Sequence, residues 1–148
     1  MLLKEKIAED MRSAMRAKDA PRLSAIRLLL ASVKQFEVDG RTEVTDTDVL
    51  GIIEKMIKQR RDSIEQFKKG ARQDLVEKEQ FEINVLHGYM PTALTAAEVE
   101  AAIEQAISSS GAKLLSDMSK VMASLKPRIT GRADMAKVSA LVKNKLTS

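Results

Sequence analysis

Between Thr45 and Gly70 the chain sets Val49, Ile52, Ile53, Met56, Ile57, Ile64 and Phe67 at helical spacing with charged residues between them. That is the pattern of a helix with one buried face. Thr45 and Asp48 form a capping-box-like pair ahead of it, with Asp in place of the usual Glu, and Gly70 stops it. At about 1.5 Å per residue the helix would run on the order of 35 Å, long enough to be the scaffold of whatever packs beside it. Composition decides what that is. Gly and Pro number only 6 and 3, aromatic residues make up 3% of the chain, and Ala, Leu, Lys, Glu and Met dominate. A sheet-rich fold is disfavoured, and the expectation is an all-α protein.

The remaining segments carry the same punctuation. Leu3, Ile7, Met11 and Met15 recur every four residues and predict a first helix over about 2–18. Asp19 caps a second, with Pro21 in its first turn, a buried side of Leu23, Ile26, Leu29, Leu30, Val33 and Phe36, and Gly40 at its end. Asp74 with Glu77 predicts a capping box for a fourth helix carrying Val76, Ile83 and Leu86 and closing near His87 and Gly88. Tyr89-Met90-Pro91 then forces a turn, because a residue before proline is pushed out of the α region.

Thr95 and Glu98 open a short helix bearing Val99, Ile103 and Ile107 that ends at Gly111. Ser116 can cap a sixth with Met118, Val121, Met122 and Leu125, which Pro127 is expected to end. The last is predicted from about Arg132 to Leu146, with Val138, Leu141, Val142 and Leu146 inside. The expected organisation is a four-helix N-terminal domain over 1–90 and a small three-helix domain over 91–148. The second is close to the lower limit for a self-supporting core.

The charge is unevenly placed. Residues 1–90 hold 17 Lys and Arg against 16 Asp and Glu, residues 91–112 hold three Glu and no cation, and residues 113–148 hold eight cations against two Asp. The C-terminal end therefore carries an excess of six positive charges, a footprint that attracts polyanions. No cysteine is present and no apolar run approaches the roughly 20 residues of a membrane span. These features, with an N-terminus charged every few residues, lead to the expectation of a cytoplasmic protein that contacts no membrane.

Nothing in the sequence assembles a catalytic centre. His87 is the only histidine, which leaves no His-based metal set and no relay; its place beside Gly88 suits an interaction with helix-terminal carbonyls. Glu77, Glu79 and Glu82 are expected on a solvent-facing helix side. No cofactor is expected, since Gly131 stands without the Gly-Lys-Ser/Thr ending of a phosphate loop. The run Lys58-Gln59-Arg60-Arg61-Asp62 is spread around its helix, but Arg60 falls near the apolar stripe, where it needs a buried partner or a ligand.

The stretch from Ser116 to Lys137, SDMSKVMASLKPRITGRADMAK, differs because cations meet a backbone feature. Lys120, Lys126, Arg128, Arg132 and Lys137 are candidate phosphate contacts, and Gly131 would expose N–H groups at a helix start where a phosphate can be held. The alternative is a structural helix-turn-helix in which Gly131 serves only the turn.

Four segments, AMRAKDAPRLSAIRLLLASVK, KQRRDSIEQFKKGAR, EQFEINVLHGYMP and DMSKVMASLKPRITGRADMAKVSALVK, resemble the YqeY family and cover most of the chain in order. That family is similar to the C-terminal tail of the B subunit of the tRNA-dependent amidotransferase, a helical appendage associated with tRNA. The resemblance implies a larger helical domain followed by a small three-helix one. It implies a tRNA partner, or an accessory role beside an amidotransferase or another component of aminoacyl-tRNA synthesis. Lys120-Val121-Met122 and Gly131-Arg132-Ala133-Asp134 match the tail's basic helix and its turn; Ser119 and Ala123 stand where the family commonly has Gly. The kinase and amide-transfer portions of the B subunit have no counterpart in these residues. A carbon-nitrogen ligase label could follow such a chain by homology, without residues here to perform that chemistry.

Overall fold

Helix caps and apolar stripes set the element order. The computed structural model describes residues 1–146, and among these there are seven α-helices and no strand: α1 (Leu3–Arg16), α2 (Ala20–Gly40), α3 (Asp46–Lys69), α4 (Gln73–His87), α5 (Ala96–Ser110), α6 (Met118–Ile129) and α7 (Met135–Lys145). The chain divides into two compact units, Met1–Met90 and Pro91–Ser148.

In the first unit, caps fix where helices begin. Asp19 accepts from the Arg22 N–H, and Thr45 and Asp48 exchange reciprocal bonds at 3.1 and 3.0 Å. Asp46, in the first turn of α3, reaches across to accept the Leu3 N–H at 2.9 Å, so one carboxylate satisfies an orphan donor of α1. Glu37 of α2 takes the Lys4 ammonium at 2.7 Å and the Val44 N–H at 3.2 Å. The Lys4 hydrogen bond, followed by the Val44 one, holds its carboxyl below the usual range. Ile7, Ile26, Leu29, Val49, Ile53 and Leu86 form the dry centre.

The second unit has its own core of Val99, Ile103, Val121, Leu125, Ile129, Val138 and Val142. Thr95 and Glu98 form the expected capping box of α5, and Gly111 closes it at φ 69°, a left-handed conformation that suits glycine. Here the carboxyl of Glu98 lies below its ordinary value, held there by the Thr95 backbone and side chain.

Several expectations fail for local reasons. Met15 is half exposed because Ala14 takes the buried position in the last turn of α1. Phe36 and Leu141 are 40% and 43% exposed at the edges of their stripes. Arg41, not Gly40, adopts the left-handed conformation after α2, at φ 52°. The Asp74–Glu77 box does not form: Arg72 is the N-cap, and Asp74 is drawn onto its guanidinium at 3.0 Å.

Ser116 sits within a 3-10 turn, Leu115–Asp117, whose Asp117 accepts from the Lys113 and Leu114 N–H groups. Pro127 does not end α6, which continues to Ile129. Leu125 and Ile129 on either side are fully buried, and Thr130 closes the turn by donating its N–H and its hydroxyl to the Lys126 carbonyl at 3.1 and 2.6 Å. Burial of those two side chains outweighs the steric bias of a proline in the last turn.

Candidate nucleic-acid interface

The six candidate residues fall on three elements. Lys120, Lys126 and Arg128 are exposed on α6, Gly131 and Arg132 lie in the loop before α7, and Lys137 is exposed on α7. On α6 the 100° step per residue lines up Lys120, Ser124 and Arg128 on successive turns of one outer face, about 12 Å from end to end. Lys126 points to the opposite flank, about 160° from Arg128. Arg128 is the oriented member of the row, since its guanidinium donates to Oε1 of Gln105 on α5 at 2.7 Å.

Gly131 is not at a helix start. Its φ of 79° makes the turn, and α7 begins only at Met135 with Asp134 as its N-cap. The Asp134 carboxylate accepts the Ala136 N–H at 2.9 Å, placing a negative charge where a phosphate was expected. The early start expected from Arg132 fails because Ala133 and Asp134 are still needed to bring the chain round from α6.

Arg132 is half-buried and already engaged. Its Nε donates to the Thr92 carbonyl at 3.0 Å, while its own carbonyl accepts the Leu94 N–H at 2.8 Å. The two bonds clasp the segment leading into α5 onto the α6–α7 loop. We therefore expect Arg132→Ala to expose residues 91–95 to limited proteolysis; unchanged cleavage would contradict the clasp. Outside the six, Lys145 is also spoken for: it bridges to Glu100 and Glu104 at 3.3 and 3.5 Å, and the Glu100 hydrogen bond raises its pKa.

Three of the five acidic side chains of this unit, Glu98, Glu100 and Glu104, thus lie on α5, with Lys145 turned toward the last two, while Asp117 precedes α6, Asp134 caps α7, and Lys120, Lys126, Arg128 and Lys137 stay exposed on α6 and α7. Sequence reasoning named Lys120 and Arg128 as candidates; it did not name Gln105, which accepts from Arg128, or Ser124, which lies between the two on α6. The i, i+4, i+8 spacing of 120, 124 and 128 was the available signal. His87 is exposed at the end of α4, and among the described residues no cluster of His, Cys, Asp and Glu could hold a metal.

A family profile described as Yqey-like protein matches residues 4–146. The chain belongs to the YqeY family. Among curated relatives, the protein named "Altered inheritance of mitochondria protein 41, mitochondrial" from Kluyveromyces lactis is 43% identical over 103 residues, 67% of this chain and 55% of that protein. The protein of the same name from Eremothecium gossypii is 42% identical over 95 residues, 64% of this chain and 51% of that one. That from Pyrenophora tritici-repentis is 37% identical over 95 residues, 64% and 52%. The chain spans about half the length of these relatives.

Their names overturn the expected cytoplasmic location, because they are designated mitochondrial. The expectation rested on absent cysteine, on the lack of an apolar span and on an N-terminus charged every few residues. None of these features separates a cytoplasmic protein from one that works inside an organelle. Among the described residues no helix is long and apolar enough to cross a membrane, which leaves that choice open.

Proposed function

We propose that this YqeY-family chain is a non-catalytic helical module that binds tRNA through the outer face of α6. The observation that carries the reading is the row Lys120, Ser124 and Arg128, exposed on successive turns, with Arg128 held in place by Gln105. Lys126 and Lys137 on the flanks supply further positive charge, and three of the five acidic side chains of this unit lie on α5, away from the row. A backbone-directed, sequence-tolerant contact is what such a row can make: the cations meet phosphates, and the serine hydroxyl can donate to a phosphate oxygen. The resemblance of the family to the amidotransferase tail supports tRNA over other polyanions. The α1–α4 unit serves as scaffold.

Binding of tRNA measured against salt tests the proposal. Three or four phosphate contacts give a slope of about −2 to −4 in log K against log salt. Lys120→Glu with Arg128→Glu should flatten the slope by about two and weaken binding more than tenfold at low salt. Arg132 is left intact in this test because of its structural clasp. No detectable binding at low salt, or a double variant that binds like the parent, would sink the reading. Retention of a translation enzyme in a pull-down after nuclease treatment, with no tRNA binding, would favour an accessory protein-docking role.

A further inference from the structure

The groove between α2 and α3 in the first unit has a composition that the RNA face of α6 does not explain. The chain has four aromatic side chains; Phe67 and Tyr89 pack against the core, Phe81 is 40% exposed, and so is Phe36. Its ring lines a cavity of about 270 Å³ together with Ile52 and Met56. Ser32, Gln35, Asp39, Lys55 and Gln59 complete the walls. Gln35 Nε2 donates to Asp39 Oδ1 at 2.7 Å, one turn along α2, so the carboxylate is held in a fixed orientation.

The volume falls below the roughly 300–1,000 Å³ of a drug-sized pocket and suits a single ring system. An apolar side chain from a protein partner would cover the ring, but it would strip water from an amide, a carboxylate and an ammonium and return no hydrogen bonds. A nucleobase matches both parts. Its face stacks on an aromatic ring and its edge meets the polar wall.

We infer that this groove is a subsite for an unstacked nucleobase of single-stranded RNA, with guanine preferred. Phe36 and Met56 take the face of the base, Asp39 accepts from its donor edge, and Lys55 meets the adjoining phosphate. Guanine presents two adjacent donors, the ring N1–H and the exocyclic N2 amine, to one carboxylate. Uracil presents one N–H flanked by two carbonyl oxygens, which a carboxylate repels. The inference rests on the proposal that RNA is the partner, but it concerns a different surface on a different unit.

The test uses mononucleotides on the full-length chain, so that it reads the groove alone. Guanosine 5′-monophosphate, uridine 5′-monophosphate and ribose 5-phosphate are titrated while the Met56 methyl and Gln35 side-chain amide resonances are followed. Guanosine monophosphate should shift both signals and saturate in the millimolar range, uridine monophosphate should bind at least about threefold more weakly, and ribose 5-phosphate should leave them unmoved. Phe36→Leu, which keeps an apolar side chain and removes the ring, should weaken the guanosine response about tenfold. The Lys120→Glu, Arg128→Glu protein should keep it. Shifts of equal size with ribose 5-phosphate, no shift with guanosine monophosphate, or a Phe36→Leu protein that responds like the parent each overturn the inference. So does a protein partner that perturbs these signals where nucleotides do not. A groove response without tRNA binding would fail only the α6 reading; tRNA binding without a groove response would fail only this one.

Discussion

In a Leu125→Ala protein the amides of α5, α6 and α7 are expected to exchange with solvent at least about 30-fold faster than in the parent, while those of α1 to α4 keep their protection. Leu125 is fully buried at the centre of the α5–α7 core, and among the described residues that core shares no side chain with the one under α1–α4. Truncating a buried leucine to alanine costs about 2–5 kcal/mol, because the methyls leave both a transfer loss and a cavity. A unit of 58 residues has only about 3–9 kcal/mol to lose. Every 1.4 kcal/mol is tenfold in the opening equilibrium that exchange reads, so 2 kcal/mol already gives about 30-fold. Acceleration spread equally over all seven helices would show a single cooperative structure and overturn the expectation.

The helices were legible in the sequence where the signal was local. Asp19, Thr45 with Asp48, and Thr95 with Glu98 are side chains that bond to backbone within three residues, and each caps the helix it was expected to cap. Legibility ended where a distant or competing partner decided. Asp74 had the spacing for a box with Glu77, but a guanidinium two residues away attracts a carboxylate more strongly than a backbone N–H does. Pro127 had the local chemistry to end a helix. Whether it did depended on the burial of Leu125 and Ile129, which the sequence around the proline does not disclose.

The candidate interface divides along the same line. That residues 113–148 are basic is a matter of counting, and the exposed positions of Lys120 and Arg128 follow from helical period. That Arg132 is committed to Thr92 and Leu94 depends on a contact across 40 positions in the chain, and that Lys145 is committed to Glu100 and Glu104 on one across more than 40. Glycine at 131 signalled a turn correctly, but the helix start that would have made it a phosphate cradle belongs to Asp134.

Arg60 shows how far a single residue could be read. Its position near the apolar stripe of α3 required a partner, and the partner is Glu82 of α4, a residue expected to face solvent. Nε of Arg60 donates to the Glu82 carboxylate at 2.8 Å, both side chains are nearly buried, and a second guanidinium nitrogen donates to the Met56 carbonyl at 3.3 Å. Such a pair is worth little against a well-packed apolar replacement, since desolvating both charges offsets most of their attraction. Removing one partner is different, because the other is left as an uncompensated charge in the interior.

Arg60→Met should therefore destabilise the α1–α4 unit by about 3 kcal/mol, whereas Arg60→Met combined with Glu82→Leu should return to within about 1 kcal/mol of the parent. Urea unfolding followed by helix signals specific to α3 and α4 measures both, with the midpoint moving and the slope unchanged if only stability is altered. A single variant as stable as the parent would mean that Glu82 regains water when its partner leaves. A double variant as unstable as the single would mean that the pair contributes net stability by itself, through its geometry and the Met56 bond, and that α3 and α4 depend on that ion pair to pack.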